Sequence, residues 1–176
     1  EIATKKAILQ ENKAYNGSKS LVYNLKESEV NNKKIVEKLN EKINLENNKI
    51  LDIGCGFGDF VFSLSKKASQ VEGIDIEEDF ISICNQKKEL YESKNTNFTN
   101  APAEKIPFEN NTFDITLCKT VLEHVNSVEK TIKEMIRVTK PGGTIYIECP
   151  NYLWIEEGHY KTYMLPLMPK IIFRPY

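Results

Sequence analysis

Three glycines at alternate positions form the part of this sequence best suited to chemistry. The segment runs Asp52-Ile-Gly-Cys-Gly-Phe-Gly58. Glycines at this spacing allow a tight turn with positive φ and let a ligand approach the backbone closely. A helix beginning just after the loop offers unpaired N–H groups at its N-terminus. The segment therefore predicts a nucleotide-like ligand at the end of a strand.

Two classes of ligand fit such a loop, and the residue after its last glycine separates them. A dinucleotide site has the pattern Gly-X-Gly-X-X-Gly, but the last position of that pattern is Asp59 here. A carboxylate there repels a pyrophosphate. Acids before and after the loop, Asp52 and Asp59, instead suit a ligand that carries a cationic ammonium and a sulfonium.

The segment from Ile50 to Gly58 resembles the first motif of class I S-adenosylmethionine (SAM)-dependent methyltransferases. Within that class the chain resembles the type 11 or ubiquinone-biosynthesis-like group, most closely in the segment from Leu117 to Val125. In that family the loop amides and the acid hold the methionine part of the cofactor. The resemblance implies that the cofactor is bound by Asp52 and the loop residues Gly54, Cys55, Gly56 and Gly58. A tight turn without a ligand is the alternative.

A second acid follows the loop at the distance expected for a ribose-binding carboxylate. In Gly73-Ile-Asp75-Ile, Asp75 stands 21 residues after Gly54. A carboxylate at the end of a second strand can accept hydrogen bonds from both ribose hydroxyls. The resemblance assigns Asp75 to the ribose and Ile76 to packing on the adenine. Helix capping by Asp75 is an alternative that is compatible with this role.

The stretch from Ala103 to Asp114 resembles the family segment leading into the fourth strand, with one departure. The family has an Asp before its Ala-Glu pair, in contact with the adenine amino group, whereas this chain has Pro102. The resemblance implies that the amide of Ala103 bonds the ring and that Glu104 partly replaces the missing carboxylate. We expect weaker cofactor binding as a result.

The stretch Leu117-Cys-Lys-Thr-Val-Leu-Glu-His-Val125 resembles the fourth motif of the family. The resemblance implies that the carbonyl groups of Cys118 and Lys119 receive the cofactor's ammonium, and that Glu123 and His124 lie near the methyl group. A neutral imidazole at His124 can accept a proton from a substrate hydroxyl. A histidine that only packs and hydrogen-bonds its loop is the alternative.

Strands alternate with helices through residues 49–149. Strands are predicted at 49–53, 70–75, 97–100, 113–118 and 144–149, with helices at 59–68 and 77–93. Lys87 is expected along the edge of the second helix. A third helix is predicted to begin at Asn126 or Ser127, and its helical period continues to Thr139. This order predicts a Rossmann-like, doubly wound α/β fold, with a mostly parallel sheet and helices on both faces. Ligands bind at the carboxyl ends of such strands, where the glycine loop and Asp75 fall.

Three segments are expected along the chain. Residues 1–45 form an N-terminal helical cap with a break at 16–18 and an apolar stripe of Ile35, Leu39 and Ile43 at helical spacing. Residues 46–150 form the SAM-binding core, and residues 151–176 form a substrate lid or a truncated segment. The last segment carries His159, a second candidate base, for which a loop histidine without a role is the alternative. The family sheet has two further strands, which are apparently missing here through truncation or through pairing with another chain.

The composition of the chain limits the kinds of binding partner that we expect for it. The 176 residues contain 24 Lys+Arg and 25 Asp+Glu, a formal net charge of −1, whereas binding of nucleic acid through phosphates needs a basic excess. Four cysteines without a Cys-X-X-Cys pair argue against a zinc site or disulfide framework and fit a reducing cytoplasm. No apolar run is long enough to span a bilayer.

The predicted function is SAM-dependent methyl transfer, enzyme class EC 2.1.1, to oxygen or nitrogen of a small molecule, sugar or lipid precursor. S-adenosylhomocysteine (SAH) is the expected product, and no metal is expected. A non-catalytic SAM-binding or interaction module is one alternative, and an NAD-type oxidoreductase is a second, less favoured one.

Overall fold

A computed structural model of the protein describes residues 21–149, with side chains from residue 30 onward. The strands are β1 (Lys49–Ile53), β2 (Gln70–Asp75), β3 (Thr96–Asn100), β4 (Phe113–Lys119) and β5 (Thr139–Glu148). The helices are α1 (Leu21–Ile43), α2 (Asp59–Leu64), α3 (Glu78–Leu90) and α4 (Val128–Val138). All strand pairs are parallel, in the order β3-β2-β1-β4-β5. The predicted doubly wound fold is confirmed.

The direction of winding reverses at β1, which lies between β2 and β4. Strand β1 is buried on both faces, and Ile50, Leu51 and Ile53 are almost inaccessible to solvent. This explains its continuous apolar run, which is typical of a strand covered by helices on both sides. One apolar cluster contains residues of α1, α2 and α3, and the other contains residues of α4. Ligand sites occur at such a reversal point.

Helix α1 packs against α2 through a narrow apolar stripe. Of the residues predicted for that stripe, Leu39 is buried, Ile35 and Ile43 are half-buried, and the neighbouring Val36 is buried as well. The predicted break at 16–18 lies outside the described residues. No helix in the described range is long and apolar enough to cross a membrane.

Two element boundaries differ from the prediction by four residues or more. Helix α2 ends at Leu64 rather than near residue 68, because the Leu64 carbonyl accepts the N–H groups of both Lys67 and Ala68 in a closing turn. Strand β5 begins at Thr139 rather than at 144. Helix α4 ends at Val138 because the backbone of Thr139 is extended, with φ −82° and ψ 135°. The Thr139 hydroxyl donates to the Met135 carbonyl at 2.6 Å.

Asp114 links three strands at the amino-terminal end of the sheet. Its Oδ2 accepts the N–H of Lys49 at 2.9 Å, and its Oδ1 binds the ammonium of Lys140 at 2.7 Å. Burial alone raises the pKa of this carboxyl, but the bonds from Lys140 and Lys49 outweigh it and lower the pKa. Asp114 thereby fixes how β1, β4 and β5 align.

Candidate functional site

A cavity of about 380 Å³ opens at the carboxyl ends of β1, β2 and β4. Its volume lies in the range of small-molecule sites. The glycine loop and the end of β2 form one wall, and the segment after β4 forms the other. The cavity is lined by Ile53, Gly54, Gly56, Ile74, Asp75, Ile76, Glu77, Phe80, Ala101, Ala103, Glu104, Thr120, Val121, His124, Val125 and Asn126. A second hollow of about 410 Å³ lies at α2 and the end of α3, away from these strand ends.

Two glycines of the loop line this cavity, and each is required for a different reason. Gly54 has φ +70°, and a Cβ there would overlap the side chain of Val121 on the opposite wall. Gly56 has φ +51°, and a Cβ there would meet no atom within 4 Å. Gly54 therefore permits the close approach of the two walls, whereas Gly56 faces the open space of the cavity.

The N–H groups of the loop are engaged within the protein. Those of Gly54 and Cys55 donate to the Ile74 carbonyl at 2.8 and 2.9 Å, and that of Gly56 donates to Oδ2 of Asp75 at 2.8 Å. The prediction that loop amides face a ligand does not hold for these groups, because strand β2 takes their hydrogen bonds. The loop provides space for a ligand rather than a set of free N–H donors.

Helix α3 supports the loop from behind. The thiol of Cys84 donates to the Gly56 carbonyl at 3.2 Å. The ammonium of Lys87 donates to the Phe57 carbonyl at 2.9 Å and binds Oδ1 of Asp59 at 2.7 Å. Two expectations are corrected: Lys87 is buried beneath the loop rather than at a helix edge, and Asp59 neutralises Lys87 rather than facing a cationic ligand.

Cys55 and Gly58 belong to the packing of the loop and do not line the cavity. Cys55 is buried, and its hydrogen bond with Cys84 together with burial raises the pKa of its thiol. A Cβ on Gly58 would come within 2.9 Å of the Cys84 sulfur and 3.0 Å of the Phe98 ring. All four cysteines are free thiols.

Asp75 is placed where the sequence predicts a ribose-binding acid. It is 8% exposed and lines the cavity. Its Oδ2 accepts the Gly56 N–H, and its Oδ1 accepts the N–H of Glu77 at 3.0 Å in the turn before α3. The residue at the N-cap of α3 is Glu77, and no side chain caps this helix, so the helix-capping alternative for Asp75 is wrong. Each carboxylate oxygen accepts more than one hydrogen bond. The next residue, Ile76, is 63% exposed at the cavity.

Asp52 lies behind the lining of the cavity. Burial raises the pKa of its carboxyl from 3.8 to about 7, Lys119 opposes the rise and Asp75 adds to it. A cation brought near this carboxyl would favour its ionised form. The ammonium of Lys119 lies 4.4 Å from the centre of the Phe60 ring.

The segment after β4 forms the second wall. Cys118 is fully buried, and burial raises the pKa of its thiol to about 12. The side chains of Cys118 and Lys119 do not line the cavity, whereas Thr120, Val121 and His124 do. The N–H of His124 closes a turn onto the Val121 carbonyl at 2.8 Å. His124 is exposed and is therefore accessible to a substrate.

Glu123 occupies an unusual environment beside His124. Both of its carboxylate oxygens are inaccessible to solvent and have no hydrogen-bond partner among the described residues. A buried carboxylate without a donor is costly. Glu123 does not line the cavity as His124 does, and His159 lies outside the described residues.

The wall of the cavity formed by the end of β2 and the start of α3 includes an aromatic residue that the sequence analysis did not indicate. Phe80, in the first turn of α3, lines the cavity and contacts the Phe57 ring at a centroid distance of 4.5 Å. An aromatic residue five positions after Asp75 was the available signal. Ala103 and Glu104 also line the cavity. Pro102 is exposed and is not among the lining residues.

The sequence matches a known protein family. The profile of a family described as "Methyltransferase domain" matches residues 51–147. A demethylmenaquinone methyltransferase of Bacillus cereus is 33% identical over 136 residues, covering 73% of this chain and 57% of the relative. The chain thus spans little more than half of that relative.

Solved structures agree in fold. A SAM-dependent methyltransferase from Aquifex aeolicus superposes with a TM-score of 0.57 at 28% identity, covering 60% of this chain and 58% of that one. The PH0226 protein of Pyrococcus horikoshii superposes with a TM-score of 0.57 at 34% identity, covering 64% and 54%. This chain belongs to the class I SAM-dependent methyltransferase family, whose cofactor is SAM.

Proposed function

We propose that this protein transfers the methyl group of SAM to an oxygen or nitrogen of a small molecule, sugar or lipid precursor. One observation carries the proposal. In a chain of the methyltransferase family, a single cavity brings the glycine loop and Asp75 to face the exposed His124 across the strand ends. The site of the cofactor and a potential proton acceptor thereby share one space.

The residues present fit the cofactor. The open space at Gly56 leaves room close to the backbone. We assign the ribose to Asp75, and the adenine to Ile76 and Ala103, with Phe80 as an added apolar contact. Asp52 is assigned to the cationic amino group of the cofactor, aided by the backbone at Cys118 and Lys119. SAM supplies a methyl group on a sulfonium, which is already a strong electrophile.

The remaining task of the chain is to position the acceptor and remove its proton. His124 is the assigned base because its side chain is exposed and lines the cavity. Neutral imidazole takes a proton from a hydroxyl or ammonium near physiological pH. Correct placement of the two reactants supplies much of the rate enhancement in such a transfer. We expect His124→Ala to lower the turnover number and to leave the Kd of SAH unchanged.

Transfer of a labelled methyl group from SAM to a panel of acceptors tests the proposal. Demethylmenaquinone belongs in the panel because relatives at 33% identity carry that substrate in their name. Its acceptor is a ring carbon, so methylation of this compound alone would overturn the assignment to oxygen or nitrogen. The panel also contains sugar and lipid precursors with free hydroxyl or amino groups. Lys105→Ala is the matched control for His124→Ala, because Lys105 is exposed and is not among the lining residues.

The same measurements separate the alternatives. A non-catalytic module binds SAH in isothermal titration but transfers no label to any acceptor or to cell extract. An NAD-type oxidoreductase binds NADH in a fluorescence titration. The engaged N–H groups of Gly54, Cys55 and Gly56 argue against this last reading, because a pyrophosphate site uses free loop amides.

A further inference from the structure

Glu104 connects the two walls of the cavity. Its Oε1 accepts the N–H of Asn126 at 2.7 Å and that of Ser127 at 3.3 Å. Partial burial raises the pKa of Glu104, but hydrogen bonds from its own N–H, Asn126 and Ser127 outweigh this effect and lower the pKa. The carboxylate thus spans from the adenine side, beside Ala103, to the segment that carries His124.

The segment from Thr120 to Ser127 is attached at both ends. At its start, the N–H of Thr120 donates to the Glu148 carbonyl of β5 at 2.8 Å. At its end, Glu104 holds Asn126 and Ser127. Between these attachments the segment contains His124. His124 therefore lies two residues before the first N–H group that Glu104 accepts.

The adenine-side segment is in turn fixed to the body of α4. Oε2 of Glu134 accepts the N–H of Ile106 at 2.7 Å, and the guanidinium of Arg137 donates to the carbonyls of Ile106 and Phe108 at 2.8 and 2.7 Å. Glu134 and Arg137 also form an ion pair at 2.7 Å. Because this segment is anchored to α4, a change at Ala103 can pass through Glu104 to Asn126 instead of being absorbed by movement of the loop.

We propose that Glu104 is a positioning residue that couples occupancy of the cofactor cavity to the placement of His124. A ligand that contacts Ala101 and Ala103 restricts the movement of the neighbouring Glu104. The Glu104 carboxylate then restricts the movement of Asn126 and Ser127, whose N–H groups it accepts. This proposal rests on the proposed function, since it takes SAM or SAH as the ligand. It gives Glu104 a role beyond the adenine contact predicted from the sequence.

Amide hydrogen exchange of the full chain, with and without saturating SAH, tests the coupling. In the wild type, SAH should slow exchange at Asn126 and Ser127 by roughly tenfold. Glu104→Ala should abolish this slowing, because no acceptor remains for the two N–H groups. Glu104→Gln should preserve it, because the amide oxygen still accepts them. Lys105→Ala, one residue further along, should behave as the wild type.

Glu104→Asp keeps the charge but shortens the side chain, so we expect SAH to slow exchange at Asn126 and Ser127 only partly in this variant. This variant keeps the proposal testable if Glu104→Ala does not fold. Slowing in Glu104→Ala equal to that in the wild type overturns the coupling. So does wild-type protein that binds SAH in isothermal titration but shows no slowing. Wild-type protein that does not bind SAH at all overturns the proposed function and the coupling with it.

Discussion

The carboxylate of Asp75 accepts the N–H of Gly56 at 2.8 Å and so joins the end of β2 to the glycine loop. The other oxygen of the same carboxylate accepts the N–H of Glu77. Asp75 therefore builds the loop and the start of α3 while lining the cavity. Replacing this acid removes both a ligand contact and the bonds that shape the site, so variants elsewhere separate the two effects better.

The two cavity glycines should respond differently to alanine. Gly54→Ala should lower the free energy of unfolding by about 3 kcal/mol, because positive φ and overlap with Val121 act together. Gly56→Ala should cost about 1 kcal/mol, from backbone strain alone. It should nevertheless raise the Kd of SAH by about tenfold, because the new methyl group enters the cavity.

Chemical denaturation and isothermal titration measure these two quantities. Val121→Ala added to Gly54→Ala should restore about half of the lost stability, since it removes the overlapping side chain. Equal stability losses at Gly54 and Gly56 would contradict the assigned geometry.

Binding of SAH should depend on the ionisation of Asp52. Burial raises the pKa of this carboxyl to about 7 in the free protein, and the cationic amino group of SAH favours the ionised form. The Kd of SAH should therefore fall as pH rises from 5.5 to 8 and then level off. Isothermal titration across this range checks the trend, and Asp52→Asn should remove it. A pH dependence that is unchanged in Asp52→Asn rules out Asp52 as the titrating group.

The same pKa fixes the sign of the stability change in the free protein. The pKa of Asp52 is raised on folding. The contribution of its carboxyl to the free energy of unfolding is therefore fully present below its unfolded pKa of about 4 and is lost as pH rises through about 7. The denaturation midpoint of the wild type minus that of Asp52→Asn should therefore decrease as pH rises through this range. A difference that grows with pH would show that the carboxyl is ionised in the fold at lower pH.

Lys87 should stabilise the loop through its bonds to Asp59 and the Phe57 carbonyl. Lys87→Met keeps most of the apolar stem but leaves both acceptors unpaired, and we expect a loss of about 2 kcal/mol in the free energy of unfolding. The Kd of SAH should rise as the loop loosens. Urea denaturation of this variant beside Lys38→Met, at an exposed position of α1, checks the effect, and equal stability in the two would refute it.

The buried carboxylate of Glu123 should lower the stability of the folded protein. Glu123→Gln should raise the free energy of unfolding by about 1 kcal/mol at pH 8, because a neutral amide costs less to bury without partners than a carboxylate. Glu129→Gln serves as the control, since Glu129 is exposed in an ion pair with Lys133 and should shift stability by less than about 0.5 kcal/mol. Destabilisation by Glu123→Gln would mean that the carboxylate has a partner in solution.

The sequence was most informative where one residue type satisfies a local backbone requirement. The alternating glycines, the acid ending β2 and the alternation of strands and helices are local patterns, and the fold and the position of Asp75 followed from them. Thr139 was misassigned because it continues the helical period of α4, whereas its backbone is extended in the structure. Its hydroxyl lies 2.6 Å from the Met135 carbonyl and 2.7 Å from the hydroxyl of the facing Thr116, contacts that the local sequence does not reveal.

Long-range bonds escaped prediction. The bond from Lys87 to Asp59 joins residues 28 apart, and the bond from Asn126 to Glu104 joins residues 22 apart. The local sequence around Lys87 and Glu104 does not indicate which distant residues they bind. For this reason Lys87 was expected at an edge, and Asp59 was expected to attract a ligand.

The bond between Asp114 and the N–H of Lys49 spans 65 residues of chain. Since β1 gains its second neighbour only when this long loop closes, we expect the central strand to be completed late in folding, because closing a long loop costs entropy. The carboxyl ends of β1, β2 and β4 are then aligned after that step. We therefore expect a bound cofactor to slow unfolding of the finished domain rather than to speed its folding.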